Sequence, residues 1–284
     1  MAYPTTTTNA KHIAGSSELT EQYLNLLQDT LTFSLWDSGD GQVWYPTSVA
    51  KRALARFLES YGLEITRPTT AEVRNYGGDW PRLAHTMTGS LRMRNLRDSV
   101  ETVLAEGVPG DLIETGVWRG GSCILMRGIL LAYGVDDRTV WVADSFRGLP
   151  KADIARYPED AGDRHHEQVA LAVSEEDVRE NFRRYGLLDG QVRFLSGWFQ
   201  DTLPTAPIKQ IAVLRLDGDM YGSTMDALEA LYPRLADGGF CIVDDYGAVE
   251  GCRRAVEDYR TRHDITEPLT KIDWAGVYWR RKSG

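Results

Sequence analysis

Asp217-Gly-Asp219 closes the apolar run I-A-V-L-R-L, and Asp244-Asp245 closes G-G-F-C-I-V. Each pair of carboxylates stands where a buried strand should emerge from a sheet. Acids a few ångströms apart raise one another's pKa, and a cation relieves the repulsion. Three readings follow: a hard divalent metal held by oxygens, a general base, or both in one site. Taken singly, each pair has a plainer explanation. A D-G-D is usually a solvated turn, and an Asp-Asp before a tyrosine can cap the helix that follows. Two such pairs at the ends of neighbouring strands are what point to a site.

The elements that must position these acids can be read from the alternation of apolar runs. Strands are predicted over 112–115, 139–143, 192–196, 211–216 and 240–243, with two more around 270–272 and 277–281. Helices are predicted at about 121–133, 175–185, 223–235 and 249–262. Such an alternation implies an α/β, doubly wound, Rossmann-like sheet with helices on both faces. Ligands in such sheets bind beyond the carboxyl ends of the strands. Glu114, Asp144, Asp217 and Asp244 all fall at predicted strand ends.

Three regions are expected. Residues 1–16 are polar and threonine-rich, and read as a flexible arm. Residues 17–106 form a helical N-terminal extension with a lid, and residues 107–284 form the α/β domain. In the extension, Ser17 should cap a helix whose apolar positions are Leu19, Tyr23, Leu26, Leu27 and Leu31. A second helix should carry Ala53, Leu54, Phe57, Leu58 and Tyr61 on one face and stop at Gly62. Residues 64–95 read as loops joined by short helices, the kind of segment that closes over ligands. A further helix is expected from about Asn95 to Glu106. The polar insertion 147–174 contains His165-His166 and reads as a mobile acidic loop, with shaping of an acceptor pocket as the alternative.

Bulk properties narrow the class. A net charge of -9 argues against a nucleic-acid partner. No apolar run approaches the roughly 18–20 residues that span a bilayer, and the N-terminus lacks a signal-peptide pattern, so a cytoplasmic protein without a membrane partner is expected. Cys123, Cys241 and Cys252 fit neither a zinc motif nor a disulfide framework, and buried free thiols are expected. A leucine-rich helical extension suggests a homodimer. Most of the eight tryptophans should pack, while Trp80 and Trp118 are candidates to stack on a flat acceptor.

The first strand runs into E-T-G-V-W-R-G-G-S, which is neither G-x-G-x-x-G nor a P-loop. Asp144, thirty positions after Glu114, can accept hydrogen bonds from a ribose. NAD and S-adenosylmethionine both carry one. Glu114 would repel a pyrophosphate but suits the cationic sulfonium and amino groups, which favours S-adenosylmethionine.

L-I-E-T-G-V-W-R-G-G-S-C, V-W-V-A-D-S-F-R-G-L-P, L-R-L-D-G-D-M-Y-G-S-T and I-V-D-D-Y together resemble the macrocin O-methyltransferase family. H-I-A-G-S-S-E-L-T and Y-G-G-D-W-P-R-L-A-H-T-M-T-G look most like noviose 4-O-methyltransferases of aminocoumarin pathways. The resemblance implies a Mg²⁺-dependent class I enzyme that methylates sugar hydroxyls of glycosylated natural products. It places Mg²⁺ on Asp217, Asp244 and Asp245, and makes Asp219 the base. Glu114, Gly116 and Ser122 would follow the methionine part of S-adenosylmethionine, Asp144 and Ser145 its ribose, and Ser196 and Trp198 its adenine. Thr86 and Met87 would close over the cofactor as part of the lid. The partner is then a small-molecule glycoside. The competing readings are a catechol-type O-methyltransferase, a non-catalytic S-adenosylmethionine-binding protein and, more distantly, a nicotinamide dehydrogenase.

Overall fold

The computed structural model describes residues 17–36, 41–44, 46 and 48–282. The arm expected over residues 1–16 lies outside them. Seven strands form the central sheet: β1 (Asp111–Thr115), β2 (Val140–Asp144), β3 (Val192–Ser196), β4 (Ile211–Leu216), β5 (Leu235–Val243), β6 (Thr270–Lys271) and β7 (Val277–Arg280). Their order is β3-β2-β1-β4-β5-β7-β6. β1 to β5 pair in parallel, and β7 runs antiparallel between β5 and β6. The chain reverses direction across the sheet between β1 and β4, the position where doubly wound sheets bind ligands.

Alternate residues of the strands feed two cores, as a period of two requires. Leu112, Val140, Val142, Val213 and Ile242 face one helical layer. Ile113, Trp141, Ala143, Leu214 and Val243 face the other. The first layer holds α1 (Glu18–Leu31), α4 (Ser90–Ala105), α5 (Gly121–Ala132) and α6 (Glu175–Arg184). The second holds α8 (Tyr221–Leu231) and α9 (Glu250–Arg262), and the single turn α7 (Phe199–Thr202) connects β3 to β4.

The N-terminal extension is continuous with this core. Ser17 caps α1 by accepting the Thr20 N–H at 3.1 Å. Leu24, Leu27 and Leu31 of α1 join Met93, Leu96 and Val100 of α4 in the same cluster as the strands. Burying each such leucine is worth roughly 1.5–3 kcal/mol. Of the face expected for α1, Leu27 and Leu31 are buried and Tyr23 packs against the core, whereas Leu19 and Leu26 are exposed and Leu24 points inward instead. α2 (Val49–Glu59) differs further, because Leu54 and Phe57 are exposed and none of its residues is buried. The segment 64–95 contains the short helix α3 (Ala71–Tyr76) and a two-residue antiparallel pairing of Thr66–Arg67 with Gln42–Val43. α4 begins at Ser90, five residues earlier than expected.

Candidate active site

β5, β4 and β1 lie side by side, so the acids at their carboxyl ends meet. The Asp217 N–H donates to the Thr115 carbonyl and the Asp244 N–H to the Leu216 carbonyl, each at 2.9 Å. Gly116 makes this convergence possible. Its φ is +84°, and a Cβ there would fall 1.7 Å from the Asp217 carbonyl oxygen. Carboxylate oxygens of Asp217, Asp244 and Asp245 lie within 4.8 Å of one another. Asp219 follows in a left-handed turn, φ 57°, a conformation aspartate tolerates better than most residues. Its N–H donates to Asp245 Oδ2 at 3.2 Å.

Two arginines enter this cluster. Arg215 is fully buried and occupies the β4 position two after Val213, so it faces α4. Its Nη1 donates to Glu114 Oε1 and, at 2.7 Å, to Asp217 Oδ2. Its Nη2 donates to Asp244 Oδ1 and, at 3.3 Å, to Thr88 Oγ1. Arg92 of α4 donates to Asp244 Oδ2 and, at 2.9 Å, to Asp273 Oδ2. Among the described residues, no arginine or lysine pairs with Asp219 or Asp245.

The electrostatics follow from this partition. Burial, reinforced by Asp217, pushes the Asp219 carboxyl up to about 7, with His165 opposing. Burial, then Asp219, pushes Asp245 well above the usual carboxylate range. Burial and the Asp244 charge raise Asp217 against the pull of Arg215. Burial carries Glu114 up to about 7, again opposed by Arg215. Carboxylates this crowded, of which two have no arginine or lysine ion pair among the described residues, fit a hard divalent cation, which takes oxygen ligands and keeps open positions for waters and substrate.

Two neighbouring pocket lobes share part of their lining, and of the acids Asp217 and Asp219 stand at that shared edge. Met87, Trp118, Leu171, Asp217 and Asp219 border both lobes. One lobe is lined by Gly116, Asp144, Ser145, Gly197 and Trp198. The other is lined by Thr86, Glu114, Ser122, Asp244, Asp245 and Trp80.

The sequence matches the macrocin O-methyltransferase family over residues 20–281. The chain belongs to this family. It is 60% identical over 214 residues to demethyldecarbamoylnovobiocin O-methyltransferase of Streptomyces niveus, covering 74% of this chain and 80% of that protein. It is 57% identical over 241 residues to mycinamicin III 3''-O-methyltransferase of Micromonospora griseorubida, covering 82% of this chain and 94% of that protein. The solved structure of the O-methyltransferase NovP superposes with a TM-score of 0.81 at 49% identity, covering 93% of this chain and all (100%) of that one. The calicheamicin methyltransferase CalS11, 20% identical with a TM-score of 0.53 over 86% of this chain and 99% of that one, shares the fold.

The family places S-adenosylmethionine in this methyltransferase, and most of the residues expected to meet it border the cavity. Asp144 accepts the Val117 and Phe146 N–H groups, each at 2.8 Å, so its carboxylate also fixes the two loops around it. Ser145 Oγ donates to the Gly148 carbonyl at 2.6 Å and shapes the same turn. Glu114 is committed on both oxygens, to Arg215 and, at 3.0 Å, to the thiol of Cys123. Ser122 is buried beside Met93. Ser196 stands apart: it is exposed, and its hydroxyl donates to Glu175 at the start of α6. Thr86 accepts the Thr88 N–H at 3.0 Å. Arg74, paired with Asp79 at 2.7 Å, holds the Met87 and Thr88 carbonyls at 2.8 and 3.0 Å. All three cysteines are buried and free.

The insertion is tied down at several points, which the expectation of a mobile loop did not anticipate. Asp160 is buried and accepts the Tyr221 and Gly222 N–H groups at 2.8 and 2.9 Å, satisfying free donors at the start of α8. Tyr157 Oη donates to Asp226 at 2.7 Å, and the Trp118 indole donates to the Ala170 carbonyl at 2.8 Å. These anchors bring His165 to the acidic lobe, its Nδ1 2.6 Å from Asp163 Oδ2. Arg92, Arg215 and Asp160 are the residues that sequence reasoning missed. Arg215 left a signal, since a cation inside the run I-A-V-L-R-L must find acids when buried. Asp160 left none, as its partners lie about sixty positions away.

Proposed function

We propose that this chain transfers the methyl group of S-adenosylmethionine to a sugar hydroxyl of a glycosylated natural product, with Mg²⁺ bound at Asp217, Asp244 and Asp245. The acceptor is the 4-hydroxyl of a noviose-like deoxysugar on an aminocoumarin precursor, as the N-terminal motifs and the likeness to the novobiocin-pathway relative support. The observation that carries the reading is the place of Asp217 and Asp219 at the edge shared by the two lobes, with Asp244 and Asp245 in one of them. A donor along Gly116, Asp144 and Trp198 and an acceptor beside Asp245 would meet there.

The methyl carbon of a sulfonium is already electrophilic, so the protein's task is in-line geometry. A sugar hydroxyl is a weak nucleophile while protonated. Asp219 is the group left to take its proton, because it carries no arginine partner and burial keeps its carboxyl basic. A positioned base typically contributes about 10²–10⁴-fold in rate. When bound, Mg²⁺ stabilises negative charge developing on the acceptor oxygen. Met87 and Trp118 wall the edge that the two lobes share. The partner is a small cytoplasmic glycoside, not a nucleic acid or a membrane, and the exposed apolar residues of α2 support a homodimer.

The test is mass spectrometry of products from a glycoside panel that includes desmethyl aminocoumarins, with S-adenosylmethionine and Mg²⁺. A mass gain of one methyl group on the sugar is expected. Methylation of catechols in its place would assign the enzyme to phenolic acceptors.

A further inference from the structure

Methyl transfer as described makes no use of an aromatic pair beside the acidic lobe. Tyr76, at the end of α3, and Trp274, between β6 and β7, are stacked with ring centroids 5.7 Å apart and planes 19° from parallel. The Trp274 indole N–H is spent on the Tyr76 carbonyl at 2.9 Å. The indole therefore has no donor left, and it offers ring surface beside the Arg92 guanidinium, 5.9 Å from its centroid, while Tyr76 adds its ring and its phenol hydroxyl. Tyr76 is 53% exposed, and Trp274 is half-buried and borders the lobe that holds Asp244 and Asp245.

Two links fix this pair relative to the acids. Gly247, two residues after Asp245, donates its N–H to the Ala275 carbonyl at 2.7 Å. A Cβ on Gly247 would sit 2.1 Å from the Trp274 carbonyl oxygen, so only glycine lets the two turns touch. Asp273 accepts the Ala275 and Gly276 N–H groups at 2.9 and 2.7 Å and binds Arg92, which also binds Asp244. The aromatic surface is held at a set distance from the carboxylates rather than on a free loop.

We infer that Tyr76 and Trp274 form the subsite for the aglycone of the acceptor, and that they select a flat, apolar or aromatic one. The inference rests on the glycoside reading above. With the reacting hydroxyl at the acids, the remainder of the glycoside must leave the lobe along its wall, where Trp274 borders the lobe and Tyr76 stacks on it just outside. A stacked aromatic contact is worth roughly two- to twelvefold in affinity.

The test is calorimetric titration of the full-length protein, loaded with S-adenosylhomocysteine and Mg²⁺, with methyl and 4-methylumbelliferyl α-L-rhamnosides. The wild type should bind the umbelliferyl glycoside about five- to tenfold more tightly. Trp274→Ala and, independently, Tyr76→Ala should bring the ratio close to one, and Trp274→Phe should keep most of it. A wild-type ratio near one, or no binding of either glycoside, overturns the subsite. So does an equal loss for both glycosides in the alanine variants, because Trp274 would then serve the sugar. Methyl transfer to the same two compounds is followed in parallel. A Trp274-dependent preference without transfer would overturn the functional reading and leave the subsite standing.

Discussion

Gly116→Ala separates the chemistry of the site from the stability of the fold. The new Cβ would lie 1.7 Å from the Asp217 carbonyl oxygen, where real Cβ contacts essentially never fall below 3.0 Å. The ends of β1 and β4 must therefore part by at least about 1.3 Å, the difference between those two distances. β4 lies between β1 and β5, so Asp217, moving with its carbonyl, is displaced toward β5 and loses its set distance from Asp244 and Asp245. A misplacement of about 1 Å can cost on the order of 10²-fold in rate. The left-handed backbone adds a conformational cost of roughly 1–2 kcal/mol for any residue with a Cβ. Gly134→Ala supplies the control, since its φ is +66° and nothing lies within 4 Å of its Cβ position. Both variants should lose a few degrees of Tm, at about 2–4 °C per kcal/mol for a domain of this size. Only Gly116→Ala should lose about 10²-fold in kcat/KM and weaken Mn²⁺ binding measured by electron paramagnetic resonance. Equal behaviour of the two variants in activity and Mn²⁺ binding would refute the claim that the β1–β4 contact places Asp217.

Asp219→Asn should retain S-adenosylmethionine binding by calorimetry while turnover falls about 10²–10⁴-fold; unchanged turnover would remove Asp219 as the base. Chelation by EDTA should abolish activity and added Mg²⁺ restore it, and full turnover in verified metal-free protein would defeat the metal assignment. Glu114, Asp217, Asp219 and Asp245 are all raised, so the folded protein binds more protons than the unfolded chain. Stability without metal should fall as pH rises from the usual carboxylate range through about 7. Saturating Mg²⁺ should raise Tm more at pH 8 than at pH 6, and an equal shift at both would count against the cluster as its site. Asp160→Ala strands two N–H groups at the start of α8. It should cost about 1.5–3 kcal/mol by denaturant titration and raise the acceptor KM; wild-type stability would show that the insertion is held by other contacts.

What the sequence disclosed was local. β3 and β4 fall at their predicted residues because each is a continuous run bounded by turn residues. The α8 helix stops at Leu231 rather than near 235 because Pro233 cannot continue it. β5 begins at Leu235, ahead of the expected 240, because its register against β4 shifts across Asp237-Gly238-Gly239 and hides the strand pattern. The spacing of apolar residues in α2 predicts its helix, but periodicity does not say what covers an apolar face. The acids were found because they sit in pairs along the chain.

Their division of labour was not legible, because it depends on side chains that arrive from elsewhere. All five acids of the cluster look alike in sequence. In the fold, Arg215 takes one oxygen each of Glu114, Asp217 and Asp244, and Arg92 takes the second oxygen of Asp244. A carboxylate held by a guanidinium is a poor proton acceptor and shares its charge with any metal. Asp219 and Asp245 keep theirs. The electrostatic contrast within the cluster is therefore set by two arginines, one buried in β4 and one on α4. On the proposed reading, the base and the least compensated metal ligand are Asp219 and Asp245, the acids to which neither arginine donates a hydrogen bond.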